Sequence, residues 1–141
     1  KTYLYRIYNG ATPTALYRHY AWQVYGPLDA AAMRAAAAHL LGRHDFTSFC
    51  TVHTDAASFT REIYQLEISA VTGGPGPFLE IEVEADGFLR YMVRTIVGTL
   101  VEIGRGKRPA AEMGEILRGR NRDRAGVTAP PQGLFLKEVR Y

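Results

Sequence analysis

Alternating hydrophobic and polar positions predict two strands at the start of the chain. In residues 3–8 the side chains of Tyr3, Tyr5 and Ile7 share one face, and the Asn-Gly pair that follows is a turn signal. Residues 20–25 are rich in aromatic side chains and are closed by a Gly-Pro pair. We therefore expect a first strand over 3–8 and a second, weaker one over 20–25.

A second pair of alternating runs lies in the middle of the chain, at residues 60–70 and 79–85. Residues 73–77 between them are all glycine or proline, which is typical of a hairpin loop. The pair predicts an antiparallel hairpin with one buried face and one solvated, acidic face. The residues expected on the buried face are Tyr64, Leu66, Ile68, Leu79, Ile81, Val83 and Ala85.

Helical spacing appears in three segments. Asp29 is placed to cap a first helix that Gly42 would end. Residues 88–103 are apolar on nearly all sides, which is typical of a central helix packed between other elements. Pro109 suits the first turn of a third helix, which would end at Gly119. The apolar stripe expected on the first helix is Met33, Ala36, Ala37, Leu40 and Leu41.

The last predicted strand covers residues 133–141 and places Leu134 and Leu136 on one face, opposite Phe135. The resulting order β, β, α, β, β, α, α, β is an α+β pattern. We expect one domain over residues 1–141, built as an antiparallel or mixed sheet with helices packed on one face.

Composition sets the class of protein and its setting. The 141 residues are 47% hydrophobic, enough for a folded core. Cys50 is the single cysteine, which excludes an internal disulfide and favours a reduced, cytoplasmic setting, and no Cys/His spacing predicts a metal site. The most apolar stretch, 88–103, is shorter than the ~20 residues of a membrane span and contains Arg90 and Arg94. Because the chain starts at Lys1, we expect a piece of a longer protein.

Positive charge is concentrated in one segment. Residues 104–124 hold seven bases and three acids, and arginine outnumbers lysine fourteen to three in the whole chain. Arginine favours bidentate recognition of phosphate, so nucleic acid is the expected partner. An ordinary solvated surface is the competing interpretation. The candidate RNA-binding residues are Arg105, Lys107, Arg108, Arg118, Arg120, Arg122 and Arg124.

Arg90 and Arg94 lie four apart in the predicted central helix, so we expect them on one helix face. A buried guanidinium needs an anionic partner. That partner is either an internal carboxylate, such as Glu84 or Asp86, or a group in a cleft that Arg94 reaches.

Two further clusters leave alternatives open. Tyr3 and Tyr5 are suited to stacking on bases, but a tyrosine on a strand is more often half-buried core. In residues 42–49 the adjacent His44 and Asp45 resemble acid–base partners, yet turn and capping roles are the more probable interpretation. On these residues alone, the sequence predicts an RNA-binding α+β domain.

Five segments that follow one another along nearly the whole chain are informative together: KTYLYRIYN, LDAAAMRAAAAHLLGRHDFTSF, TREI, DGFLRYMVRTIVGTLVEIGRG and AGVTAPPQGLFLKEVRY. In this order they resemble the C-terminal part of the tRNA pseudouridine synthase A family. The resemblance implies a pseudouridine-synthase-like fold and isomerisation of uridine to pseudouridine in the tRNA anticodon stem-loop. It also implies a homodimer and no metal or organic cofactor.

The family's catalytic aspartate stands in a GRTDAGVHA-like motif that this sequence lacks. The resemblance therefore implies that the aspartate-bearing N-terminal domain is absent and that this chain alone is inactive. It assigns Arg94 as the partner of the missing aspartate, Tyr3 as the residue packed against the target base, and Leu134 as a wall of the uracil pocket. A non-catalytic RNA-binding module and a purely structural or dimerisation domain are the alternatives. The aspartates that match no family motif are Asp29, Asp45, Asp55, Asp86 and Asp123.

Overall fold

A computed structural model describes residues 1–51, 57–71 and 77–139. These residues form six strands and three α-helices. The strands are β1 (Thr2–Tyr8), β2 (Trp22–Gln23), β3 (Gly42–Asp45), β4 (Thr60–Val71), β5 (Phe78–Ala85) and β6 (Leu134–Glu138). The helices are α1 (Ala30–Ala38), α2 (Met92–Gly104) and α3 (Glu112–Gly119).

The strands make one mixed sheet in the order β2-β1-β5-β4-β3. β5 pairs antiparallel with both β1 and β4, whereas β2 runs parallel to β1 at Ile7 and Tyr8. β6 adds antiparallel pairing to β1 over Thr2–Tyr5, beside the short β2. The antiparallel or mixed α+β architecture expected from the pattern is confirmed.

The two faces of the sheet differ as the alternation predicts. Tyr5, Ile7, Ile81 and Val83 are fully buried on the face against the helices, where α2 also buries most of its residues. The other face of β5 carries Glu80 and Glu82, which form ion pairs with Arg6 of β1 and Lys137 of β6. Helix packing on one face and solvation of the acidic face follow from this division.

The first helix ends earlier than its sequence signals predict. Asp29 caps α1 by accepting a hydrogen bond from the Ala32 amide at 3.0 Å, as expected. Gly42, however, does not end the helix but opens β3 with a φ of 94°. Leu41 is 44% exposed and lies outside the apolar stripe. Residues 42–45 form a strand where we expected a loop, because they pair with β4, a contact distant in sequence.

The first strand of the hairpin contains a β-bulge that local alternation does not reveal. The register between β4 and β5 shifts between Ile63 and Gln65. Ile63 is therefore buried while Tyr64, expected inside, is 56% exposed. The antiparallel pairing of β4 with β5 is confirmed. Most of the predicted glycine-proline loop lies at 72–76, outside the described residues.

The central helix begins four residues later than the apolar run predicts. α2 starts at Met92, and residue Tyr91 before it has a left-handed backbone with φ 65°. Arg90 therefore precedes the helix, so the expectation that it shares a helix face with Arg94 is wrong. α3 likewise starts at Glu112 rather than at Pro109.

Candidate active site

A cavity of about 490 Å³ opens where the start of α2 meets β1 and β6. Its walls are residues 88–94 together with Tyr3 and Leu134. The cavity is large enough for a nucleobase and lies within the usual range for small-ligand sites. The fold thus brings together Tyr3, Arg94 and Leu134, which stand far apart in the sequence.

The two tyrosines of β1 that share a face have different environments. Tyr3 lines the cavity and packs edge-on against Phe88, with ring centroids 5.0 Å apart. Tyr5 is fully buried and donates its hydroxyl proton to the Pro130 carbonyl at 2.5 Å. Burial raises the pKa of Tyr5 far above its usual value, and the nearby charge of Arg94 opposes this only in part. Tyr5 is therefore a neutral core residue, and Tyr3 alone of the pair can contact a ligand.

The backbone and the side chain of Arg94 both form hydrogen bonds with Ala129. Its Nε donates to the Ala129 carbonyl at 2.7 Å, and the Ala129 amide donates to the Arg94 carbonyl at 2.9 Å. No carboxylate of the described residues lies within ion-pair distance of its guanidinium. The expectation of an internal pair with Glu84 or Asp86 is wrong, since Asp86 instead accepts the Glu62 amide at 2.8 Å.

Tyr91 is a wall residue that sequence reasoning missed. The guanidinium carbons of Arg90 and Arg94 lie 5.2 Å and 5.0 Å from its ring centroid. Its left-handed backbone is costly for a tyrosine and persists because the surrounding contacts enforce it. The signal in the sequence was the aromatic residue between two arginines, a composition suited to cation–π contacts.

Residues 125–130, which we call the strap, run along α2 and hold Arg94 in position. Gly126 donates to the buried Thr99 hydroxyl at 2.9 Å. The strap approaches so closely at Gly98 that a Cβ there would lie 1.7 Å from the Val127 carbonyl oxygen. The absence of a side chain at Gly98 therefore permits the contact that positions Arg94.

Three of the seven candidate basic residues line cavities that continue from the active-site cavity. Tyr91 also borders a cavity of about 260 Å³ that contains Arg122. Arg122 and Arg120 share a further cavity of about 310 Å³, and Arg120 and Arg118 line one of about 390 Å³. Consecutive cavities share a wall residue and therefore adjoin one another, and we call the surface that they make the arginine groove.

The remaining basic residues lie elsewhere. Arg105 and Lys107 are exposed beyond the C-terminal end of α2, about 17 Å along the helix axis from Arg94. Arg108 is half-buried and pairs with Glu102 at 3.3 Å, while Arg124 is exposed. The basic segment of the sequence is thus divided by the fold, and only its second half adjoins the cavity.

Comparison with known proteins identifies the family of the chain. Residues 36–141 match the family model described as tRNA pseudouridine synthase. The chain belongs to the tRNA pseudouridine synthase family. Proteins named tRNA pseudouridine synthase A from Myxococcus xanthus, Moorella thermoacetica and Bacillus pumilus are 50%, 46% and 45% identical to it over all 141 residues. The chain spans about half the length of these curated relatives, between 52% and 56%.

The aspartates in the described part of the chain do not line the active-site cavity. In the described part of the chain no carboxylate lines that cavity. Asp29 caps α1, Asp86 binds a backbone amide, and Asp123 lines the neighbouring cavity with Arg122. Asp55 lies outside the described residues.

Asp45 and His44 have the turn and capping roles expected of them. Asp45 Oδ1 accepts the Thr47 amide at 2.9 Å and the Thr47 hydroxyl, while His44 Nε2 lies 2.7 Å from the Leu41 carbonyl oxygen. Burial acts to raise the pKa of the Asp45 carboxyl, but the Thr47 hydrogen bonds and the charge of Arg120 outweigh it and hold the pKa below its usual value.

Two further features bear on the class of protein. Cys50 is buried, and this burial raises the pKa of its thiol, so it is an inert core residue. Across residues 1–51, 57–71 and 77–139, no helix has the length and apolar character needed to cross a bilayer.

Proposed function

We propose that this chain forms the C-terminal half of the active site of a tRNA pseudouridine synthase. The complete enzyme isomerises uridine to pseudouridine in the anticodon stem-loop. The observation that carries the proposal is the cavity that joins Tyr3, Arg94 and Leu134 without a carboxylate among its described walls. The name shared by relatives that match the whole chain supports tRNA as the substrate.

The isomerisation breaks the bond from ribose C1′ to uracil N1 and forms one from C1′ to C5, while the C5 proton is lost and N1 gains a proton. The aspartate on the other half of the enzyme acts in its ionised form. Arg94 pairs with it, because a guanidinium held at a pocket wall lowers the pKa of an adjacent carboxyl and fixes its orientation. The Ala129 contact leaves the terminal Nη groups of Arg94 to do this.

Tyr3 and Leu134 hold the extruded uracil between apolar surfaces. A ring that stacks on a base contacts its face and does not select one edge. The detached uracil can therefore turn within the cavity so that C5 replaces N1 opposite the ribose.

The arginine groove binds the tRNA backbone through Arg118, Arg120 and Arg122. Arg105, Lys107 and Arg124 extend the basic surface away from the cavity, whereas the charge of Arg108 is offset by its ion pair. When basic side chains neutralise tRNA phosphates, the counterions of those phosphates are released, so the binding affinity falls as salt rises. The slope of log affinity against log salt concentration becomes steeper by about 0.7 to 0.9 for each neutralised phosphate.

Replacing Arg120 and Arg122 together by glutamine should weaken tRNA binding and reduce the salt slope by about 1.4 to 1.8. Filter-binding titrations at several salt concentrations measure both quantities. The matched control is Arg18→Gln, since Arg18 is an exposed arginine outside the groove. A double variant with the slope of the control would contradict the groove assignment.

The complete enzyme is proposed to be a cytoplasmic homodimer that needs no metal or organic cofactor and does not associate with membranes. Analytical ultracentrifugation of the complete protein tests the dimer, and full activity in the presence of a chelator tests independence from metal.

The decisive experiment is nucleoside analysis of tRNA incubated with this chain, alone and together with the part of the Myxococcus xanthus relative that it does not match. Pseudouridine only in the mixture is the expected result. Pseudouridine from the chain alone would mean that one of its own aspartates is the nucleophile.

The same experiment separates the alternatives, provided that the two pieces are shown to associate. Tight tRNA binding without pseudouridine would favour a non-catalytic RNA-binding module, which the lack of a carboxylate in the described cavity walls also fits. Absence of tRNA binding at moderate salt would favour a structural or dimerisation domain.

A further inference from the structure

We infer that the cavity beside the active site binds the phosphate and ribose of the nucleotide next to the target uridine. This ribose-phosphate subsite rests on the proposed function and specifies it further. Its walls are Thr51, Tyr91, Thr95, Arg122, Asp123 and Thr128. They are mostly polar, unlike the walls of the uracil cavity, which suits a sugar and an anion rather than a base.

Arg122 supplies the anion-binding group. It is half-buried, and in the described ranges no carboxylate lies within 4.0 Å of its guanidinium. Its side-chain hydrogen bond is from Nη2 to the Thr128 hydroxyl, at 3.0 Å. Arg108, by contrast, is equally half-buried but paired with Glu102. A partly desolvated guanidinium with unused donors is suited to bidentate binding of a phosphate.

The hydroxyls around Arg122 fix its direction. Thr128 Oγ1 accepts from Arg122 and lies 3.4 Å from the buried Thr95 hydroxyl. Thr128 belongs to the strap, whose next residue, Ala129, holds Arg94. The subsite and Arg94 are therefore anchored by two adjacent residues of the same short segment.

Tyr91 is a wall of both the uracil cavity and the subsite, so the two cavities adjoin one another. Adjoining cavities suit consecutive nucleotides of one strand. A strand with its uracil in the first cavity would thus place the adjoining sugar and phosphate in the second.

Asp123 gives the subsite a direction and a preference for RNA. Its amide is used by the fold, donating to Asn121 at 3.0 Å, but its carboxylate makes no hydrogen bond or ion pair with any described residue. A carboxylate repels phosphate and accepts a hydrogen bond from a hydroxyl. The phosphate therefore binds to Arg122 and the 2′-hydroxyl to Asp123, and that hydroxyl distinguishes RNA from DNA.

The test uses the complete enzyme and anticodon stem-loop RNAs that carry one 2′-deoxy nucleotide, either just before or just after the target uridine. We expect one of these two substrates to have a KM raised about three- to tenfold with kcat nearly unchanged. In the Asp123→Ala variant, which has no side-chain acceptor, the same deoxy substitution should have less than a twofold effect. Arg122→Gln should raise the KM of the all-ribose substrate about tenfold, and Arg122→Lys should restore part of the loss.

Two controls accompany the series: a 2′-deoxy nucleotide at the far end of the stem, and the Arg18→Gln variant. The deoxy substrates leave the protein unchanged, so they test the subsite even if a variant folds poorly. An active enzyme that tolerates both neighbouring deoxy substitutions, or an Asp123→Ala variant that keeps the penalty, would overturn the subsite but not the proposed function. A wild-type enzyme that forms no pseudouridine would overturn the proposed function and the subsite with it.

Discussion

Replacing Gly98 by alanine distinguishes the effect of helix propensity from that of tertiary packing, because the two predict opposite changes in the free energy of unfolding. Gly98 lies inside α2, where alanine is more favourable than glycine by about 1 kcal/mol. Propensity alone therefore predicts a more stable protein. The strap predicts the reverse, since the new Cβ would lie 1.7 Å from the Val127 carbonyl oxygen and 2.8 Å from its carbonyl carbon.

The cost follows from the bonds that hold the strap. The carbonyl must retreat by roughly 1.5 Å to restore an ordinary C···O separation of about 3.3 Å. That movement disrupts the amide hydrogen bonds of Gly126, Val127 and Ala129 to α2. At about 1 kcal/mol for each bond and about 1 kcal/mol of remaining strain, less the helix gain, the free energy of unfolding should fall by about 3 kcal/mol. The melting temperature should fall by about 10 °C.

Urea and thermal denaturation of this chain measure the effect. The matched control is Gly114→Ala in α3, where the nearest atoms belong to the flexible side chains of His39 and Arg118. That variant should be unchanged or up to about 1 kcal/mol more stable. A Gly98→Ala variant as stable as the wild type would refute the argument that the close approach of the strap to α2 holds Arg94 in place.

Three further predictions concern single side chains. In the complete enzyme, Arg94→Gln should lower kcat about 10²- to 10³-fold in a pseudouridine assay, and Arg94→Lys should recover only part of it because the Nε contact is lost. Ser48→Ala should lower the free energy of unfolding by about 2–3 kcal/mol, because the hydroxyl joins the Ile116 carbonyl to the Asn121 amide; Ser69→Ala, at an exposed site, should have little effect on urea denaturation. Because the pKa of Asp45 is lowered by folding, its stabilisation is present above about pH 4 and lost at lower pH, so wild type and Asp45→Asn should converge in acid denaturation and differ at neutral pH.

The candidate site residues could be predicted from the sequence, but their shared cavity could not. Tyr3, Arg94 and Leu134 are each predicted from local segments that resemble a family, and their roles stay predictions. Their convergence depends on the pairing of β6 with β1 and on the position of α2 across the sheet. Tyr91 was missed because its left-handed backbone places it between two arginines that a continuous helix would have aligned differently.

Local patterns by themselves predicted the other five strands, the three helices, the buried face of β5 and the cap at Asp29, because each depends on side chains near one another in sequence. The tertiary structure alone decided the strand at 42–45, the bulge that exposes Tyr64, and the division of the basic segment between the groove and the far end of α2. Each of these depends on a partner distant in the chain. Hydrophobic periodicity indicates which residues are buried, but the pairing of segments that are distant in sequence determines which of the buried residues contact one another.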